Sequence, residues 1–172
     1  LAIQMLSEGV HSGDASGIVA CTFRIARILL NRLEDADSGR IKLADFYTDI
    51  PAERKEQAAY TGKLLQQNAY LKFPFISGAQ PTSEDIQELI LRRTWLPSLA
   101  ITGCAGLPAL ASAGNVLRPE TALKLSLRLP PTTDAEQASR SLKSLLENDP
   151  PYGAKVSFTP DQAANGWHAP VL

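Results

Sequence analysis

Few side chains in this sequence are placed to do chemistry. His11 stands in Gly9-Val10-His11-Ser12-Gly13, just ahead of a helical pattern. Glycines on both sides let a ligand approach the backbone, and an imidazole N–H can donate to a developing oxyanion. The same setting also suits a structural or merely exposed histidine, so both readings stand. Asn115 follows Gly114, where it is either a turn residue tolerating unusual backbone angles or a ligand contact. Arg128 lies on the polar side of an alternating strand pattern. It is either a solvated sheet residue or a guanidinium fork for a carboxylate. Ser12 has no base and orienting acid beside it, so it reads as a cap for the next helix. The same lack disfavours a complete hydrolase built on Ser12 or on a cysteine.

Metal chemistry is equally constrained. A zinc site takes three or four His, Cys, Asp or Glu ligands in close array. The chain has two histidines and two cysteines, His11, His168, Cys21 and Cys104, with no C-x-x-C, H-x-x-x-H or H-E-x-x-H spacing. A self-contained zinc enzyme is not expected, and the cysteines read as small packing residues with free thiols. They lie 83 positions apart (104 minus 21) and make no disulfide framework, which points to a reducing, cytoplasmic compartment. Trp95 and Trp167 read as core or interface residues.

The 172 residues fit one domain, or one domain with an insertion. Seventeen basic against eighteen acidic residues give a net charge of −1, which argues against a nucleic-acid or polybasic membrane binder. With 44% hydrophobic residues there is apolar surface enough for a core. No apolar run approaches the ~20 residues that span a bilayer. The sequence opens on Leu1 and directly in a strand-like segment, which reads as a piece of a longer protein.

The elements that must position these residues follow from periodicity. Residues 2–8 read as a strand and 18–33 as a helix, with Val19, Phe23, Ala26, Leu30 and Leu33 on one face. Residues 41–46 suggest a short strand. Residues 51–70 and 81–95 read as helices, the first opened by Pro51 and weakened by Gly62, the second capped by Thr82 with Asp85. Residues 99–102 read as a strand. From 122 to 129, Leu123, Leu125, Leu127 and Leu129 alternate with Lys124, Ser126 and Arg128, the pattern of a half-buried antiparallel strand. Thr133 with Glu136 signals another helix, striped by Ala135, Ala138, Leu142, Leu145 and Leu146, before a last strand around Val156. Setting aside a helical insertion at about 45–95 leaves strand-helix-strand-strand-helix-strand. The expected fold class is therefore α+β, a ferredoxin-like βαββαβ sandwich whose four-stranded antiparallel sheet carries two helices on one face.

Taken together, Val10-His11-Ser12-Gly13 with its following helix, Gly114-Asn115-Val116-Leu117-Arg118-Pro119, and Leu125-Ser126-Leu127-Arg128-Leu129-Pro130 resemble the lid domain of the co-catalytic zinc peptidases of metallopeptidase family twenty. Aminoacylases, carnosinase-type dipeptidases and succinyl-diaminopimelate desuccinylase belong to that family. The Asn115-to-Arg128 interval of thirteen is similar to the carnosinase-like branch, as is the long helical segment. The resemblance covers essentially the whole chain. One departure is Ser16-Gly17, where members often carry Gly-Gly.

The resemblance implies that the catalytic domain, with its two zinc ions, their ligands and a Glu base, lies outside this fragment, so that the fragment alone is inactive. It implies homodimerisation through the lid, by an edge strand and the first long helix. It implies that His11 stabilises the oxyanion of a dipeptide or N-acyl amino acid substrate, in several members across the subunit boundary. Asn115 would contact that substrate and Arg128 would hold its carboxylate. Residues 165–170 resemble the return into the catalytic domain. The alternative is a stand-alone ferredoxin-like binding or scaffold module, since the fold hosts many functions.

Overall fold

The computed structural model describes residues 1–170. Strand β1, Ala2–Gln4, sits between β5, Glu120–Arg128, and β6, Lys155–Ser157. Strand β3, Ser98–Ala105, pairs with the other side of β5. All three pairings are antiparallel, with Ile3 opposite both Thr121 and Val156, and the sheet order is β3-β5-β1-β6. With the long helices α2, Thr22–Leu33, and α6, Ala135–Glu147, this is the expected βαββαβ arrangement.

The core lies between the sheet and these two helices. Ile3 and Leu123 meet Ile25, Ala26, Leu29 and Leu33 of α2 and Ala138, Leu142 and Leu146 of α6. The leucine alternation reads correctly: Leu125, Leu127 and Leu129 pack against this cluster, while Lys124 and Arg128 are exposed. Thr22 and Thr121, both buried, share a hydrogen bond of 2.7 Å between their hydroxyls, so neither is orphaned.

Several local expectations are corrected. The first long helix begins at Thr22, because a separate turn, α1 at Ser12–Ala15, and a left-handed Gly17 intervene. Its buried face is Thr22, Ile25, Ala26, Leu29 and Leu33, one step around from the face expected. Apolar residues cover a wide arc of this helix, so spacing alone does not choose the face. Residues 41–46 form no strand: Ile41 makes a single bridge to Glu34, and a helical turn at Ala44–Phe46 drives Phe46 into the core.

The segment read as one helix over 51–70 is α3, Ala52–Leu65, and a short α4, Asn68–Leu71, broken where Gln66 adopts φ 46°. Gly62 is buried on α3 because α5, Ile86–Thr94, passes close by, with the Gln87 amide 3.4 Å from where a Cβ would stand. The caps also shift by one position or more. Asp85 accepts from the amides of Gln87 and Glu88, and Asp134 from that of Gln137, while the Thr133 hydroxyl is buried without a partner among the described residues.

Candidate functional site

His11 is not in an open loop. Val10–His11 forms a two-residue strand, β2, antiparallel to β4, Val116–Leu117, with His11 opposite Val116. The Ser12 amide then donates to the Asn115 carbonyl over 2.9 Å. The ladder thus brings the histidine loop against the Asn115 loop at the end of β5 where that strand starts. The sequence permits this closeness at Gly9, where a Cβ would come within 2.9 Å of Val116 Cγ1.

The imidazole is held by its own loop. The Gly13 amide donates to His11 Nδ1 over 3.0 Å, so His11, rather than Ser12, caps α1. A Cβ on Gly13 would lie 2.9 Å from His11 Cε1, so only glycine admits the ring in this pose. Because Nδ1 is an acceptor, the ring proton sits on Nε2. Nε2–H is therefore a donor with no partner among the described residues, on an exposed side chain. The Asn115 side chain is also exposed and free of hydrogen bonds among the described residues. The ladder brings the backbones of His11 and Asn115 to one exposed corner, with both side chains exposed.

Arg128 is elsewhere. It is exposed at the far end of β5, opposite Ser98. At ~3.3 Å per residue, the strand separates Arg128 from the Glu120 end by about 26 Å. The structure thus joins His11 with Asn115 and keeps Arg128 apart from both.

The remaining candidates change meaning. Cys21 precedes α2 and Cys104 lies near the end of β3; both are exposed, so neither is a packing residue. Trp95 is buried, but Trp167 is 78% exposed. Near Trp95 a cluster forms that sequence reasoning missed. His168 stacks edge-on against Trp95 at 5.2 Å and accepts from Arg54 Nε over 3.3 Å, and Arg54 also donates to the Ala169 carbonyl. No short-range pattern links residues 54, 95 and 168, so only the fold reveals it. Among the described residues, no group of three or more His, Cys, Asp and Glu side chains could hold a metal ion. Among them, too, no helix is long and apolar enough to cross a membrane.

No family model and no curated protein matches the sequence. Solved structures do match the fold. Human carnosine dipeptidase 1 is 21% identical with a TM-score of 0.70, covering 98% of this chain and 36% of its own. The dipeptidase Dug1p of Saccharomyces cerevisiae is 20% identical with a TM-score of 0.61, covering 85% of this chain and 30% of its own. The M20 family metallo-carboxypeptidase Sso-CP2 of Sulfolobus solfataricus is 17% identical with a TM-score of 0.63, covering 86% and 38%. The chain has the fold that these peptidases carry over about a third of their length.

Proposed function

We propose that this chain is the lid and dimerisation domain of a co-catalytic zinc peptidase that cleaves a dipeptide or N-acyl amino acid. The observation that carries the reading is the junction of His11 with Asn115 across β2 and β4. Both side chains are exposed there, and their Nε2–H and amide donors have no partner among the described residues. His11 would donate to the scissile carbonyl oxygen as negative charge develops on it, and Asn115 would orient the substrate. Arg128 would take the substrate carboxylate in a bidentate grip. The metal ions would be held by another domain, where they would activate the attacking water. No step on this chain runs through them.

The spacing within the lid gives this reading a further consequence. A dipeptide is far shorter than the roughly 26 Å between the two ends of β5. One lid therefore cannot engage a single substrate with all three residues. Two lids can, if they lie antiparallel, so that the His11 corner of one meets the Arg128 end of the other.

Strand β3 supports such a pair. It is an edge strand, it carries neither a charge nor a proline, and its Ile101 is 50% exposed. An uncharged edge of this length is a template for strand pairing. The outer surface of α2, with Ile28 exposed, would continue the contact.

The test is His11→Ala in the full-length enzyme. Loss of one oxyanion donor is expected to lower kcat by about 10²–10³ with a smaller change in KM. Unchanged turnover would remove the role.

A further inference from the structure

Strands β2 and β4 form a short ribbon with two unlike faces. Residues opposite each other in an antiparallel ladder point to the same side, and successive residues to opposite sides. Val10 and Leu117 therefore share one face, and both are half-buried. His11 and Val116 share the other, and both are exposed. Val116 is thus an apolar side chain turned away from the packed side of its own ribbon, and it is 43% exposed. Opposite residues hold their Cβ atoms ~5 Å apart, so its isopropyl group stands beside the imidazole.

Two glycines set this pair. Gly9, two residues before His11, lies on the same face, and a Cβ there would come within 2.9 Å of Val116 Cγ1. At the other end the Gly13 amide holds His11 Nδ1 over 3.0 Å. Val116 thus leans over Gly9 and the imidazole leans toward Gly13. The face offers one hydrogen-bond donor, one apolar side chain and a glycine between chain and solvent. The segments that enter and leave the corner have the same character. Residues 107–114, which lead into Asn115, contain no charged side chain, and Leu110 among them is 96% exposed. Ile18, just past α1, is exposed as well.

Such a face suits a ligand that carries a hydrogen-bond acceptor and an apolar group close together. An acyl residue does so: its carbonyl oxygen accepts from Nε2–H, and its side chain branches one carbon away. Laid toward Val116, an aliphatic side chain removes apolar surface from water on both partners. A charged side chain there would give up hydration with no partner on the face.

We propose that Val116 is a specificity-determining residue, which receives the side chain of the substrate residue that carries the scissile carbonyl and selects an aliphatic one. The proposal rests on the reading of His11 as the donor to that carbonyl. It adds which of the two substrate residues is selected, and by what chemistry.

The test compares leucylglycine with aspartylglycine on the full-length enzyme. The ratio of the two kcat/KM values within one protein cancels differences in folding and active fraction. The wild type is expected to favour the leucyl substrate at least about tenfold. Val116→Lys is expected to lower that ratio about tenfold or more, and Val116→Thr, which keeps the β-branched shape, by a smaller factor. His11→Ala, measured beside them, should lower kcat on both substrates and leave the ratio within about twofold of wild type. A wild type without the leucyl preference overturns the proposal. So does a Val116→Lys ratio equal to that of wild type while His11→Ala still loses turnover. Full turnover by His11→Ala, or cleavage of neither dipeptide, removes the oxyanion reading and this proposal with it.

Discussion

The Ser12 amide donates to the Asn115 carbonyl over 2.9 Å, and the next residue back, His11, lies opposite Val116. These contacts join two loops that are distant in sequence, and they do so entirely through the backbone. The backbone positions of His11 and Asn115 are therefore properties of the fold, and His11 Nε2 and the Asn115 amide keep no hydrogen-bond partner among the described residues.

Gly13 is the residue that sets the imidazole. A methyl group there would stand 2.9 Å from His11 Cε1 and displace the ring from the Gly13 amide. Gly13→Ala in the full enzyme is expected to lower kcat by at least about tenfold while leaving the melting temperature within a few degrees. A Gly13→Ala protein with wild-type turnover would show that the ring pose does not matter. Gly13 acts through His11, so the double variant with His11→Ala should be no slower than His11→Ala alone.

The Thr22–Thr121 hydroxyl pair predicts strong non-additivity. Thr22→Val leaves the buried Thr121 hydroxyl without its 2.7 Å partner and should cost about 1–3 kcal/mol. The double variant Thr22→Val with Thr121→Val removes both hydroxyls at nearly constant shape, and it should recover most of that loss. Chemical denaturation of the four proteins measures the cycle. Additive losses would mean the hydroxyls contribute separately.

Glu147 ties the end of α6 to the segment after β6. It accepts from Lys143 Nζ at 2.6 Å and from the Phe158 amide at 2.7 Å, and these bonds hold its pKa below the ordinary value. A carboxylate depressed in the folded state contributes stability above its unfolded pKa and loses it as pH falls through the folded one. Glu147→Gln should therefore destabilise the protein at pH 7 by about 0.5–1 kcal/mol. The difference should shrink as pH drops below about 4. A difference that stays constant into acid would contradict the assignment.

The sheet and its two helices were legible because their signals are local. Leucine alternation over 123–129 gives a face, and the apolar patterns over 18–33 and 135–146 give helices, although the first begins four residues later than its pattern. What sequence reasoning missed depends on contacts between distant residues. The Val10–His11 ladder needs Val116 as a partner, and two residues carry no period. Phe46 in a helical turn looks like part of a strand until the core it fills is seen. At both corrected caps the acidic residue lies next to or near a threonine with the same capping chemistry, so composition could not choose between them. His11 and Asn115 were separate candidates in the sequence, and folding makes them neighbours. Arg128 was a third candidate, and folding moves it to the opposite end of β5.

That separation supplies the most direct measurement of the central claim, that one substrate is served by two lids. His11→Ala and Arg128→Ala full-length proteins should each be nearly inactive alone. Mixed in equal amounts and allowed to exchange subunits, about half of the dimers are mixed, and each has one site with both residues intact. The account predicts recovery of about a quarter of wild-type activity. No recovery, with mixed dimers verified by mass, would place His11 and Arg128 in the same subunit's site and contradict it.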